Sequence, residues 1–483
     1  MPPLRILFFL LAPNFDRVFA SFLESLLERG HTVHVLIQKQ KQKPGRLPSG
    51  GGAILDELAA RYPSFTVEGE PTVPDRWLAL RTGLRAGIDY VRYLEPELVQ
   101  AHALRRRARK IAPVPIRMLV KGLKSVPRLR RPAAAALGLL ERVVPIAATT
   151  RSIVSAADPD VVLVAPLVGL GARQSDWIRV AADLGIPTVL PVASWDNLTN
   201  KGVLKQIPTR VIVWNDAQAA EAIDLHRVPA ERIVVTGAHA FDHWFEQGPR
   251  LEREAFHSLV GLPLEPFFLY AGSSYFIARD EPSFFRTWLE KVRSSDDPAL
   301  RDVGVLVRPH PQNARGWSEY EPDDDRVVVW PRGGASPTDA GRREDYFHSL
   351  WYSAGVVGIN TSALIEAAIA RRPSFTLLLE SFRETQVELP HFAHVASGPN
   401  SLVIVGEDWE QHLAHLAETL AGRRDDGPRI ERFLRTFIRP HGLQELAAPR
   451  AARAVEEAAR ERDARRSWKR GESRASAAST VSR

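Results

Sequence analysis

A histidine held between two prolines at the end of an apolar run is the first feature of this chain that could handle a phosphate. Val305-Leu306-Val307-Arg308-Pro309-His310-Pro311 reads as a buried strand ending in a stiff loop, because each proline keeps the residue before it extended. Arg308 and His310 are thereby presented at a strand's carboxyl end, where ligands bind in parallel sheets. A second candidate follows. Gly355 to Ile359 reads as a strand, Asn360-Thr361-Ser362 as a capping sequence, and Ala363 to Arg371 as a helix closed by Pro373. Free N–H groups, a positive helix end and two hydroxyls suit a phosphate there, although plain N-capping explains the same residues. Glu366 lies one turn beyond Ser362, where a carboxylate can accept the hydroxyls of a ribose or simply favour the helix start.

Other polar loops follow other apolar runs. Tyr270-Ala271-Gly272-Ser273-Ser274 is a small-residue turn where backbone could approach a diphosphate, with Arg279 in reach. Gln386, after the run Phe375 to Leu379, could read sugar hydroxyls. In the first half, Ala12-Pro13-Asn14-Phe15-Asp16-Arg17 offers Asn14 as an acceptor contact and Asp16 as a general base or a helix cap. Ser194-Trp195-Asp196-Asn197 offers an aromatic platform with hydrogen-bonding neighbours, and Asp196 as the competing base. The expected catalytic set is Asp16, Asp196 and His310. Nucleotide contacts are expected from Ser273, Ser274, Arg279, Arg308, His310, Asn360, Thr361, Ser362 and Glu366. Acceptor or sugar contacts are expected from Asn14, Trp195, Asn197 and Gln386.

Two sheets are needed to position these loops. Ile6 to Ala12, an amphipathic segment to Glu28, Gly30 and Thr32 to Ile37 form a strand-helix-strand unit, which argues against reading the first run as the core of a signal peptide. Apolar runs at Val161 to Ala165, Pro187 to Val192, Arg210 to Trp214 and Arg232 to Thr236 extend it. The same grammar restarts at Phe267 to Ala271 and continues through Gly304 to Val307, Val327 to Trp330, Gly355 to Ile359 and Phe375 to Leu379. The expected architecture is α/β, with two doubly wound Rossmann-like domains facing a cleft. The first spans 1–245 and the second 246–440, followed by a helix over 441–466 and an unfolded Ser/Ala/Arg tail over 467–483. Thr236 to Asp242 reads as the hinge loop between them.

The 483 residues suffice for two cores, and 45% hydrophobic against 25% charged residues is a globular balance. The net charge of +7 is local in origin. Between Leu98 and Leu140 lie eleven Lys and Arg residues and no acid, so the rest of the chain is mildly acidic and nucleic acid is not an expected partner. That stretch belongs to an insertion of long helices over 75–145, expected to break at Pro113, Pro115, Pro127 and Pro132. It suits either an anionic bilayer surface or a solvated hairpin packed on the first domain. Cysteine is absent, which excludes disulfides, thiolate metal sites and a cysteine nucleophile. No Walker sequence, Gly-x-Gly-x-x-Gly, His-Glu-x-x-His or Gly-x-Ser-x-Gly occurs, so kinase, dehydrogenase, zincin and hydrolase readings lose support. Asp323-Asp324-Asp325 precedes a strand and reads as a solvated turn. No metal site and no cofactor are expected.

Taken together, the opening strand-loop-helix to Arg29-Gly30-His31, Trp195-Asp196-Asn197-Leu198-Thr199, Thr236-Gly237 with Phe241-Asp242, Arg308-Pro309-His310-Pro311, Gly358 to Ala367 and Arg439-Pro440-His441-Gly442 resemble the GT-B superfamily of glycosyltransferases. The likeness is to bacterial surface-polysaccharide enzymes and their relatives, the CDP-glycerol glycerophosphotransferases, and covers most of residues 1–440. It implies that His310 and Ser362 bind the donor's phosphates, with donor in the second domain and acceptor in the first. Related sugar-nucleotide epimerases carry Gly-Thr-Arg-Pro-Glu after the first strand, where this chain has Ala-Pro-Asn-Phe-Asp. The expected activity is metal-independent transfer of a sugar from a nucleotide-activated donor to a polysaccharide or lipid-linked acceptor. The expected location is cytoplasmic, with peripheral attachment at the inner membrane face. The alternatives are transfer of a phospho-polyol from a CDP donor and a catalytically inactive glycan- or partner-binding protein.

Overall fold

The computed structural model describes residues 2–38, 52–263, 265–334 and 340–461. Seven parallel strands form the first sheet: β1 (Arg5–Leu10), β2 (Thr32–Ile37), β3 (Phe65–Gly69), β4 (Val161–Ala165), β5 (Thr188–Pro191), β6 (Arg210–Val213) and β7 (Ile233–Val235). Their order is β3-β2-β1-β4-β5-β6-β7. Six parallel strands form the second: β8 (Phe267–Ala271), β9 (Gly304–Arg308), β10 (Val327–Val329), β11 (Gly355–Val357), β12 (Ser374–Leu377) and β13 (Ile404–Gly406), ordered β10-β9-β8-β11-β12-β13. Both sheets reverse direction beside their first strand, and such switch points hold ligands outside the strands' carboxyl ends. The α/β expectation of two Rossmann-like domains matches this architecture. The sequence reading passed over β3 and β13, which are both edge strands: β3 carries exposed polar residues and β13 has only three positions.

Central strands are apolar on both faces because helices cover both. Ile6, Phe8 and Leu10 face a core with Phe19, Phe22, Val33 and Val35, while Leu7 and Phe9 face the opposite core with Trp177. Phe9 and Trp177 stack with centroids 3.9 Å apart.

The C-terminal helix over 447–461 docks far from its sequence neighbours. Ala451, Ala452, Ala454, Val455, Ala458 and Ala459 are buried against the first sheet's Phe8 core. Its carboxylate Glu456 takes a bidentate pair from Arg29, at 2.7 and 2.8 Å, and His31 Nε2 lies 3.1 Å away. The Asp242 carboxylate accepts the Ala447 and Ala448 N–H groups at 3.1 and 2.7 Å and pairs with Arg439 at 3.2 Å. The two chain crossings between the domains are thereby tied together. Gly237 lies at this tie with φ +94°, and a Cβ there would sit 3.0 Å from Ala447 Cβ and 3.1 Å from the Ile438 carbonyl. The predicted tail over 467–483 lies outside the described residues.

The insertion forms helices at Leu78–Arg92, His102–Ile111, Val114–Leu123 and Arg130–Val143. Pro113 and Pro127 stand at helix breaks as expected. Pro115 and Pro132 do not break anything, since each lies in the first turn of its helix, where the missing N–H has no helical partner to lose. Among the described residues no single helix is long and apolar enough to cross a membrane. Pro127–Val143 and Ala148–Ala157 reach that composition only as a pair, bent by 73°.

Candidate functional site

The carboxyl ends of β8, β9 and β11 bring three loops side by side. Gly272 is where two of them touch: its N–H donates to the Arg308 carbonyl at 2.9 Å, and a Cβ would lie 2.8 Å from the His310 backbone nitrogen. On the other flank, a Cβ on Gly358 would lie 3.2 Å from the Ala271 carbonyl. His310 Nδ1 accepts the Gln312 N–H at 3.0 Å, so the neutral ring carries its proton on Nε2. Burial, helped by the charge of Arg17, lowers its pKa to about 4. His310 is therefore a neutral hydrogen-bond donor at neutral pH.

A cation is supplied by the first domain. Arg17, exposed in the first turn of the Asp16–Glu28 helix, acts electrostatically on His310, Tyr346 and Glu366 across the cleft. Glu366 is buried, and burial raises its pKa while Arg17 and the Tyr346 hydroxyl oppose the rise. Tyr346 donates to Glu366 Oε2. Ser362 forms no side-chain cap on the seven-residue Ala363–Ile369 helix, so capping does not occupy its hydroxyl; Thr361 Oγ1 reaches the Ala363 N–H only at 3.5 Å.

Several expected contacts are spent on architecture. Asp16 has no exposed surface, and each of its oxygens accepts a backbone N–H, from Arg17 and from Gly52, both at 2.7 Å, so an acceptor sugar has no open approach to it. It is not placed to act as the base. Asp196, although burial alone would raise its pKa, is held below the carboxylate range by Lys201, 3.4 Å away, and by His391. A base near neutrality needs the opposite shift. Trp195 is buried in the second domain's core with its ring 4.6 Å from His391, so it seals the interdomain seam and offers no sugar platform. Beside it, Asn197 Oδ1, Asn200 Oδ1 and His391 Nδ1 are buried without a protein partner, a polar setting suited to ordered water.

Arg308 donates to the Asp345 carbonyl at 3.1 Å and Ser349 Oγ at 2.6 Å, with its guanidinium 5.0 and 5.3 Å from the Trp330 and Tyr346 ring centres. Asn360 Nδ2 donates to the Thr385 carbonyl at 2.8 Å. Gln386 is fully buried, with Nε2 donating to the Ile359 and Leu377 carbonyls at 2.9 and 3.2 Å. Ser273 is likewise sealed, its N–H donating to both oxygens of Glu281 at 2.8 and 2.9 Å. Ser274 is half-buried, and Asn14 and Arg279 are exposed.

Sequence reasoning missed Arg17, Tyr346, Glu281 and His391. Arg17 had a usable signal, a cation directly after the β1 loop. Glu281 had none, because only the fold puts it under the Ser273 and His310 loops, where Asn313 Nδ2 also approaches it at 3.4 Å. One group among the described residues could hold a cation: His102, Glu384 and Glu388, whose ligand atoms lie within 4.8 Å of one another. Arg106 and Arg383 already pair with those carboxylates, at the seam between insertion and second domain.

No family model matches the chain, and no curated protein matches it in sequence. Its fold matches solved structures over nearly their whole lengths. The UDP-GlcNAc 2-epimerase of Methanocaldococcus jannaschii, solved with UDP-GlcNAc and UDP, aligns at 12% identity with a TM-score of 0.52, covering 94% of this chain and 99% of that one. A putative UDP-N-acetylglucosamine 2-epimerase of Listeria monocytogenes gives 12% and 0.52, covering 94% and 96%. A glycosyltransferase of Rickettsia africae gives 9% and 0.50, covering 95% and 99%. The chain shares with these structures the fold of two parallel-sheet, Rossmann-like domains.

Proposed function

We propose that the protein is a GT-B glycosyltransferase that moves a sugar from a nucleotide-activated donor to a polysaccharide or lipid-linked acceptor in surface-glycan synthesis. The observation that carries the reading is the convergence of the Gly272, His310 and Gly358 loops at the carboxyl ends of β8, β9 and β11, beside a Ser362 hydroxyl that capping leaves free. In the transfer, the acceptor hydroxyl oxygen bonds to the anomeric carbon as that carbon's bond to the donor phosphate breaks, the bonding pair leaving with the nucleotide phosphate and the hydroxyl proton passing to that departing phosphate or to water. The leaving phosphate's charge is met by the His310 Nε2–H, the Ser362 hydroxyl and the Arg17 guanidinium, groups the chain supplies itself. Glu366, with Oε2 already held by Tyr346, accepts from the ribose.

A sugar-nucleotide epimerase is the second reading, favoured by the fold neighbours that bind UDP-GlcNAc and opposed by Ala12 to Asp16 in place of the epimerase loop. Transfer of a phospho-polyol from a CDP donor rests on the sequence likeness alone. Thermal shift with UDP, GDP, CDP and TDP nucleotides tests the donor site, since a ligand of the native state stabilises by RT ln(1 + [L]/Kd). Stabilisation by one of them, followed by a glycosidic product with acceptor, supports the transferase. A phosphodiester product assigns the polyol reaction, and a 2-epimer formed without acceptor assigns the epimerase. No shift with any nucleotide removes the donor site and leaves a binding protein.

A further inference from the structure

We infer that the outer face of the insertion docks the protein on an anionic bilayer through the helices Val114–Leu123 and Arg130–Val143. Both helices are apolar on two sides, which a surface helix of a water-soluble core is not. On the inner side, Ile116 and Leu137 meet over Gly87 of the Leu78–Arg92 helix, where a Cβ would lie 2.6 Å from Ile116 Cδ1 and 3.3 Å from Leu137 Cδ1. The two helices therefore lie side by side on one support, with the sides opposite Ile116 and Leu137 facing away from it. Those sides carry Val114, Met118 and Leu139, with Leu119, Leu140 and Val143 on the flanks, all exposed, Met118 by 65% and Val143 by 76%. Nine of the fifteen large apolar side chains exposed among the described residues fall within 99–143, so the exposure is concentrated and not the usual scatter.

Charge selects the occupant. Val114, Met118 and Lys121 share one face of their helix at i, i+4 and i+7, and Arg109, Lys110, Lys124 and Arg128 are exposed just before and after that helix. None of these five cations pairs with an acid among the described residues, whereas Arg106 and Arg131 do. Apolar side chains entering the acyl boundary with lysines and arginines at headgroup level are the chemistry of an interfacial anchor on anionic lipid. A second copy of the chain fits less well, because two such faces would bring like charges together with no acid between Leu98 and Leu140 to offset them. Through Arg106–Glu384 and His102–Glu388, the latter 2.8 Å, the same insertion touches the second domain, so docking would hold the cleft beside the bilayer.

The full-length protein is tested by co-sedimentation with phosphatidylcholine vesicles and with vesicles containing about one third phosphatidylglycerol. Binding should rise about tenfold on the anionic vesicles and fall as salt is raised. The double variants Met118→Glu/Val143→Glu and Lys121→Glu/Arg128→Glu should each lose it, while Leu259→Glu, at an exposed leucine elsewhere, should bind like the parent. Unfolding midpoints confirm that each variant folds. Nucleotide affinity, read in the same preparations, should not change, which separates failure of the anchor from failure of the donor site. Equal binding to both vesicle types, no binding to either, or retention by both patch variants overturns the inference. Sedimentation velocity showing a dimer that the patch variants dissolve would assign the face to a second copy instead.

Discussion

His310 donates from Nε2 because its other nitrogen is already used by the Gln312 amide, and Gly272 makes room for that arrangement. Replacing His310 by Ala should weaken nucleotide binding about tenfold, the loss of a hydrogen bond to a charged group, with the fold intact by circular dichroism. Titration calorimetry on His310→Ala and Ser362→Ala checks this, and unchanged affinity in both would discard the phosphate site. Glu281 gives a pH prediction under the same loops. Burial raises its pKa from 4.5 to about 8. A group with a raised folded pKa contributes stability that is complete below about 4.5 and lost as pH rises through about 8. Glu281→Gln, which keeps acceptors for the Ser273 N–H, should therefore be more stable than the parent at pH 8 and should flatten the decline between those values. A parent and variant with parallel stability curves would show that Glu281 is ionised in the fold. His310 was legible because prolines mark its loop. The burial of Asp16 and Trp195 was not legible, because residue type and a loop position say nothing of which way a side chain turns, and both turn inward.

The Leu78–Arg92 helix shows how an insertion can organise a site it does not enter. Its buried face carries Arg81, Arg85 and Asp89 at successive turns. Arg81 pairs with Asp75 and Asp176, and Arg85 with Glu141 and Asp176. Asp89 accepts the Gly171 and Val203 N–H groups, both at 2.8 Å, and pairs with Lys205. Arg92 donates to the Leu198 carbonyl at 2.6 Å and the Lys201 carbonyl at 3.0 Å. One helix thus fixes the loops that follow β4 and β5. Arg85→Ala would leave the buried Glu141 only the longer 3.8 Å pair to Arg179 and Asp176 only its pair to Arg81, and the expected loss is about 3–5 kcal/mol of unfolding free energy, measured with urea. A loss below about 1 kcal/mol would mean that water enters and solvates the acids. The strands of both sheets were legible as continuous apolar runs. This ladder was not, because its partners lie up to 116 residues apart and buried ion pairs have no periodic signature in the chain.

At the scale of the whole molecule, the chain leaves the second sheet and returns to the first. The sequence reading placed a helix over 441–466 but assigned it no partner, because its alanines fit many surfaces; Arg29 and His31, more than 400 residues earlier, supply the address. His31 Nδ1 accepts the Leu4 N–H at 3.2 Å, so its neutral ring donates from Nε2 to Glu456. The Arg29 hydrogen bond is the main cause that lowers the Glu456 pKa, ahead of the opposing effect of burial. A carboxylate with a depressed folded pKa contributes stability above its unfolded value of about 4.3 and loses it as pH falls further. Glu456→Gln should therefore cost about 2 kcal/mol at pH 7, the worth of a charged hydrogen bond, and progressively less as pH falls below about 4. Hydrogen exchange should show faster opening of residues 447–461 in the variant at pH 7, with the second sheet unaffected, since the helix is held to the first sheet's core. If the free-energy difference between parent and variant stays constant from pH 7 to pH 3, the Arg29 pair does not hold the helix. Alanine packing alone would then account for its docking.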